Sequence, residues 1–437
     1  MAEKTKKAQI FKRDNTWWSK NWFYTILIAV AVIGGVCAFL VVPFAVPQPF
    51  SKDDSISTLR QAVLVATGGV LAILTLWENR RKNDQEHMRQ VHAERRSRYA
   101  TAIEQLADEK APIRLGGVYT LVKLVDEWLA DEKTLPDKEE RREEGQVIIN
   151  SLCAYIRSSF DLASKAEMLS QDKTLEDYEG GTQQFAKDQA RFREEKELRL
   201  TIIEAIRTRL NGGFIIQEDG TKKLLKGSWS NFDYDFSNAH FFYPVDFANI
   251  YFGASSNFFR AEFAGYAGFF GAKFTWDADF SEAKFTKYAN FSKAKFTGAN
   301  FAEAKFTKYA NFSEAKFTKY ANFSEAKFTS VIFAEAKFTE AIFSGAKFTE
   351  ASFSEAKFTV SADFSKAIFE EKPIFERALG DKTCKARFSC KADPEDYDFE
   401  VSPASPYKIE TEEQEHNGTK FTIPKDAELF DPDEPSE

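Results

Sequence analysis

Hydrophobic and polar positions follow three different rhythms along the chain. The first is a pair of unbroken apolar runs near the start. Trp22 to Val42 holds 21 residues without a charge, about the length that crosses ~30 Å of hydrocarbon as a helix. A cleaved secretory signal has a shorter apolar core of about 7–15 residues, so this run reads as a retained anchor. Gln61 to Trp77 repeats the pattern over 17 residues, at the lower limit of a span, and a buried core helix is its alternative. Trp17, Trp18 and Trp22 precede the first run and Trp77 closes the second, as interfacial aromatics do. Lys4, Lys6, Lys7, Lys12, Arg13 and Lys20 lie before the first run, and Arg80, Arg81 and Lys82 after the second. Lys52, Arg60, Asp53 and Asp54 lie between them. The positive-inside rule then places segment 1–21 and everything after residue 77 in the cytoplasm, with a short external loop over 43–60. Paired glycines, Gly34 with Gly35 and Gly68 with Gly69, predict close approach of the two helices. Neither run contains an ionisable residue, which leaves a proton or ion pathway without a carrier.

The second rhythm is helical. Residues 78–212 are rich in Glu, Lys and Arg and poor in Gly and Pro. After Pro112, apolar residues fall at Ile113, Leu115, Val118, Leu121, Val122, Leu124 and Val125, the spacing of one helix face. Further amphipathic helices fit 147–160 and 190–210, the latter stopped by Asn211-Gly212-Gly213. The expectation is a small packed all-α domain, followed by a linker over 213–228. A helix-pair repeat of the armadillo type is an alternative.

The third rhythm is Phe at every fifth or sixth residue, with Ala two places before it, as in AKFTKYANFSEAKFTKYANFSEAKFT (304–329). A step of five rotates a helical position by about 140° net, so these Phe form no helical stripe. In a continuous strand an odd step alternates faces. A chain that bends after every unit satisfies both, with Phe and the Ala before it pointing inward on each side of a coil.

The irregular steps give the number of sides. From Phe232 to Phe375 there are 28 central positions, all Phe, joined by 17 steps of five residues, nine of six and one of four. All nine six-residue steps run from an odd-numbered unit to an even-numbered one. A three-sided coil would scatter these insertions over every corner. A four-sided coil confines them to two opposite corners, so four sides are predicted. Twenty-eight units then stack into about seven coils, a rod on the order of 34 Å long at the strand spacing.

The units ANFSE, AKFTK, ADFSK and ANFAE resemble the pentapeptide-repeat family, whose motif is loosely A-(D/N)-(L/F)-x-x. The resemblance covers 229–378 and implies a right-handed quadrilateral β-helix. The segment AIEQLADEKAPIRLGGVYTLVKL is similar to one found beside the membrane segments of bacterial pentapeptide-repeat proteins, which implies the plasma membrane of a bacterium. The predicted whole is a two-helix transmembrane hairpin (22–42 and 61–77), a cytoplasmic helical domain, the β-helix, and a C-terminal cap with a disordered tail over 379–437.

Composition narrows the function. The chain has 437 residues, 44 Phe and a net charge of −8, with four cysteines and four histidines. Cys37, Cys153, Cys384 and Cys390 show no paired spacing, which fits a reducing compartment and argues against a disulfide framework or a His/Cys metal site. No nucleophile elbow, phosphate loop or dinucleotide fingerprint occurs. No catalytic, cofactor-binding or metal residue is therefore assigned, no cofactor is expected, and the chain reads as non-enzymatic. Some family members bind type II topoisomerases as acidic mimics of DNA. Residues 229–375 carry 16 Lys/Arg against 17 Asp/Glu, a poor imitation of a duplex with one charge per ~1.7 Å, and direct nucleic-acid binding is not expected either. A membrane-tethered scaffold offering a rigid rod to a protein partner remains. Its candidate contact is a ladder of Tyr266, Tyr288 and Tyr309, the extra residues of units leaving one corner in successive layers, since Tyr is enriched at interfaces. Stacked aromatics covering a bulged corner are the competing reading. Tyr320 falls alone on the opposite corner. Residues 391–437 hold 15 Asp/Glu against 4 Lys, a composition that predicts disorder.

Overall fold

The computed structural model describes residues 15–45, 56–171, 178–218, 220–380 and 382–433. Lys4 to Arg13 and the loop charges Lys52, Asp53 and Asp54 lie outside them. The chain divides into two compact units, Met1–Arg96 and Ser97–Glu437.

In the first unit, helix α1 (Asn15–Val36) runs through a π turn, Cys37–Val41, into a last helical turn, Val42–Ala45. Helix α2 (Ile56–Leu106) supplies the second element and continues past the unit boundary. Both contain a stretch long and apolar enough to cross a membrane. Ile28, Ile33, Phe39, Val65, Ile73 and Leu76 are exposed on them, which is not how a soluble core helix disposes its apolar side chains. Only one of the four glycines serves close approach: a Cβ on Gly34 would collide with Thr67, whereas Gly35, Gly68 and Gly69 face open space.

In the second unit, helices α3 (Ala111–Ala130), α4 (Lys138–Arg157) and α5 (Gly181–Leu210) pack through Leu121, Val125, Ile149, Leu152, Ile202 and Ile206. Pro112 starts α3 within its first turn, where the missing N–H is harmless. Asp137 caps α4 by accepting from the Glu139 and Glu140 N–H groups, so this helix starts well before residue 147. The expected linker at 213–228 is instead an antiparallel hairpin, Asn211–Ile216 against Lys222–Lys226. Its base is tight, because a Cβ on Gly227 would collide with the Arg209 carbonyl.

From Phe236 onward the chain is a four-sided β-solenoid. Inward Phe side chains form four continuous columns. One runs Phe236, Phe258, Phe280, Phe301, Phe323, Phe343, Phe364. The column through Phe263, Phe285, Phe306 and Phe328 stacks at 4.6–4.8 Å, the spacing of neighbouring strands. Opposite columns meet edge to face across the core, as at Phe301 and Phe312, 5.4 Å apart at 88°, so each of these rings sits in both of the arrangements that aromatic quadrupoles favour. The Ala two places before each Phe is buried wherever it occurs in the regular coils, as at Ala283, Ala304 and Ala326. Each fully buried Phe contributes roughly 1.5–3 kcal/mol of gross transfer energy.

Both ends of the columns are covered. Phe232, four residues before Phe236, leaves the repeat geometry: it packs edge to face on Trp229 at 6.3 Å and beneath Gly145 of α4. Phe242 packs against Phe160 and Phe192 of the helical layer, with the Arg199 guanidinium 5.3 Å above its ring. At the other end, two columns continue into the expected C-terminal cap, and the chain beyond it, expected to be disordered from residue 391, is also folded as far as residue 433. Phe388 stacks on Phe358 at 4.8 Å and Phe399 on Phe364 at 5.8 Å. Residues 382–433 form further strands: Lys382–Ser389 pairs in parallel with Lys357–Asp363 and with Ala427–Phe430, and Thr411–His416 pairs with Thr419–Pro424. Acidic composition did not prevent folding here because Phe388, Phe399, Phe421 and Ile423 are buried against the last coil, supplying the apolar area that disorder lacks.

Candidate interaction surface

The surface of the rod is set by two kinds of corner. After each even-numbered unit from Phe236 to Phe364 the chain makes a tight turn. The N–H of the Ala three residues on donates to the Phe carbonyl, as in Ala283 to Phe280 and Ala326 to Phe323, both 3.1 Å. The residue before that Ala is left-handed: Glu282, Glu303, Glu314, Glu325, Glu335 and Glu355 all have φ near +55° to +58°. This is the positive φ that the third position of a type II turn requires, adopted here without glycine. The residue before the Phe completes the turn when it is Asn or Asp. Its side chain accepts from the N–H two residues on, as Asp279 does from Ser281 and Asn322 from Ser324, each at 2.9 Å.

The other two corners, after odd units, lack this closure. In the later coils one strand runs straight across them, as in Lys305–Asn311 and Lys327–Ile332. Extra residues are accommodated there as a register shift, for example between Phe306 and Tyr309 against Phe328 and Ser330. The odd-to-even parity of the six-residue steps thus has a cause: a turn closed by a three-residue hydrogen bond has no room for another residue, and an open corner does.

The same alternation sorts the outward side chains. Before most even Phe comes Asn or Asp, which the tight turns use, with Gly268, Ile332, Ile342, Ser352 and Ile374 as the exceptions. Before every odd Phe from Phe274 to Phe358 comes Lys. One face carries Lys273, Lys295, Lys316, Lys337 and Lys357, continued by Arg387. The opposite face carries Lys284, Lys305, Lys327 and Lys347. The rod is near neutral as a whole, yet two of its faces bear rows of ammonium groups one strand spacing apart. Burial together with the Lys316 and Lys273 charges pushes Lys295 below the usual lysine value. Lys357 is lowered by burial, Arg387 and Lys337. Ion pairs such as Arg260–Glu282 at 2.7 Å and Lys293–Glu314 at 3.3 Å lie on the tight corners instead.

Tyr266, Tyr288 and Tyr309 do stack, with ring centroids 5.6 and 5.4 Å apart. Tyr266 and Tyr288 are half-buried and Tyr309 is exposed. Asn311 reaches the Tyr288 hydroxyl at 3.5 Å, and Lys287 and Lys308 precede the last two rungs. The next layer presents Ser330, which donates to Glu350 at 2.9 Å, and ends the ladder. Tyr320, on the other open corner, lies over Gly298, where a Cβ would sit 2.6 Å from its ring, and reaches Asp277, which together with burial raises its pKa.

Residues 269–316 and 312–357 match the sequence model of pentapeptide repeats, described as nine copies. This segment is a pentapeptide-repeat domain. No curated protein matches the chain. The pentapeptide-repeat solenoid is a structural or protein-interaction module, and no family of enzymes is matched. A groove of about 510 Å³ lies beside the first pentapeptide coils, lined by Lys138, Arg142, Asp233, Gly253 and Trp276. Arg142 there lies 2.6 Å from Glu139 and 3.9 Å from Asp233.

Proposed function

We propose that this protein is a non-enzymatic, membrane-tethered scaffold whose rod captures a protein partner along the corner of Tyr266, Tyr288 and Tyr309. The observation that carries the reading is the stack itself: three tyrosines one layer apart, flanked by Lys287, Lys308 and the Lys284–Lys305 row. It offers rigid aromatic area with a fixed spacing, at low entropic cost to the partner. The two exposed apolar helices support the tether. Cytoplasmic placement of both termini rests on the distribution of basic residues, and a bacterial plasma membrane rests on the resemblance of AIEQLADEKAPIRLGGVYTLVKL to segments of bacterial pentapeptide-repeat proteins. A duplex-mimicking role gains nothing from the faces, where acidic positions such as Asp279 and Asp363 are interrupted by Asn300, Asn322 and Ile342.

The test is proximity labelling from the rod in intact cells, with wild-type chain and a Tyr266/Tyr288/Tyr309→Ser variant compared at equal abundance. Proteins recovered with wild type and lost with the variant are expected. Identical recovery would remove the tyrosine corner from the reading, and recovery of topoisomerase subunits would favour the mimic. A C-terminal reporter active only outside the cytoplasm would overturn the topology.

A further inference from the structure

Three strand ends in the C-terminal cap bring together a cysteine and a histidine, both rare in this chain, with an aspartate. Cys390 follows the strand Lys382–Ser389, His416 ends Thr411–His416, and Asp431 follows Ala427–Phe430. One donor atom from each lies within 4.8 Å of both others. The convergence follows from the pairing. Ser389 is in register with Phe430, and the Cys390 N–H donates to the Phe430 carbonyl at 2.9 Å, which sets Cys390 beside Asp431. Gln414 reaches across to the Ala427 carbonyl at 3.1 Å and receives the Leu429 N–H at 3.3 Å. His416 is two residues after Gln414 and Asp431 two after Leu429, so both side chains leave on the sides already facing each other.

We propose that Cys390, His416 and Asp431 bind a single divalent ion of the zinc class. A thiolate, an imidazole and a carboxylate match the borderline-soft character of that ion, and three protein ligands leave a fourth position for water. Tetrahedral bonds of about 2.0–2.3 Å place donors about 3.3–3.8 Å apart, so rotation of the half-buried side chains closes the remaining gap. Asp431 is held ionised, its pKa lowered first by Lys391 at 2.7 Å and then by the Asp433 N–H. Lys391 also pairs with Asp433 and keeps that partner when Asp431 turns to the metal. Asn417 has its amide 3.0 Å from His416 Nε2. The contacting atom is Nδ2; with the amide turned over, Oδ1 accepts from Nε2–H, the orienting contact that metal-bound histidines use. The ion ties the end of Thr411–His416 to the paired strands Lys382–Ser389 and Ala427–Phe430 and locks the cap over the Phe columns.

The experiment loads the full chain, purified with chelator under reducing conditions, with Co²⁺ and then Zn²⁺. The wild type is expected to show a thiolate-to-cobalt charge-transfer band, to bind one ion per chain and to melt at a higher temperature when loaded. Cys390→Ser should abolish the band, and His416→Gln and Asp431→Asn should each weaken Zn²⁺ binding by at least roughly 10–100-fold, the loss that follows removal of even an outer-sphere partner. Binding should weaken in acid, because protons compete with the ion for the ligands. A wild-type protein without the thiolate band, or a band that survives Cys390→Ser, overturns the site. Cys390→Ser could also loosen the cap, which a lower melting temperature of the metal-free protein would reveal. His416→Gln then decides: loss of the bound ion supports the site, and an unchanged stoichiometry and affinity overturn it.

Discussion

Inserting a single alanine at two corners of the same neighbourhood separates the two kinds of turn. At the tight corner the insertion goes between Ser324 and Glu325. There Ala326 N–H donates to Phe323 O at 3.1 Å, Asn322 accepts from Ser324 at 2.9 Å, and Glu325 has φ +55°. An added residue opens that bond, and both groups lie on buried residues. Leaving the pair unsatisfied costs about 1–3 kcal/mol for each group, on the order of 2–6 kcal/mol together. At the open corner the alanine goes between Thr329 and Ser330, where the coil below already holds one residue more between Phe306 and Tyr309. A cost within about 0.5 kcal/mol is expected, as for other surface changes. The two variants have the same length and composition, so unfolded-state effects cancel to first order. Urea unfolding of the full chain in mild detergent, followed by far-ultraviolet circular dichroism, should lower the midpoint for the first variant only. Equal losses, or a larger loss at Thr329/Ser330, would refute the distinction between the two corners.

Further outcomes follow from the columns and the lysine rows. Phe301→Ala removes a ring stacked on Phe280 and Phe323 at 4.9 and 5.1 Å and should cost about 3–5 kcal/mol in the same urea experiment. Lys295→Met should raise the midpoint. The fold lowers the pKa of Lys295, so its protonated form is disfavoured throughout the neutral range, and wild-type stability should climb as alkaline pH passes the folded value toward the unfolded one. Cys153 is buried and its thiol is pushed up to about 12. Mass spectrometry should find it unalkylated by iodoacetamide at neutral pH until the chain unfolds.

The repeat, the inward Phe and Ala, and the four sides were legible because one strong period, with its irregularities, had only one geometric solution. The stacked tyrosines followed from the same counting. The cause of the parity was not legible, since six glutamates in a left-handed conformation contradict the local preference for glycine or asparagine. The separation of Lys from Asn faces was present in the sequence: from Lys273 to Asn322 the residue before the Phe alternates between Lys and Asn or Asp with unit number, a signal visible once those residues are sorted by parity. In the cap, acidic composition outweighed better signals. Asn417-Gly418, with φ of +49° and +80°, is a two-residue hairpin turn flanked by strand residues. Phe388 and Phe399 are thirteen and twenty-four residues beyond Phe375, too far for a rhythm of five to find them. Cys390, His416 and Asp431 meet only through strand pairing that no local pattern encodes.

The closed fourfold return of the solenoid makes its length a free variable. Adding or removing one whole coil brings the chain back to the same face, with lysines, asparagines and tyrosine corner in unchanged order. The helical layer would still meet its Phe and the C-terminal strands theirs. Only the distance between the two ends changes, in increments of about 4.8 Å. A chain built this way is a graduated ruler, on which selection can set a separation without redesigning either terminus.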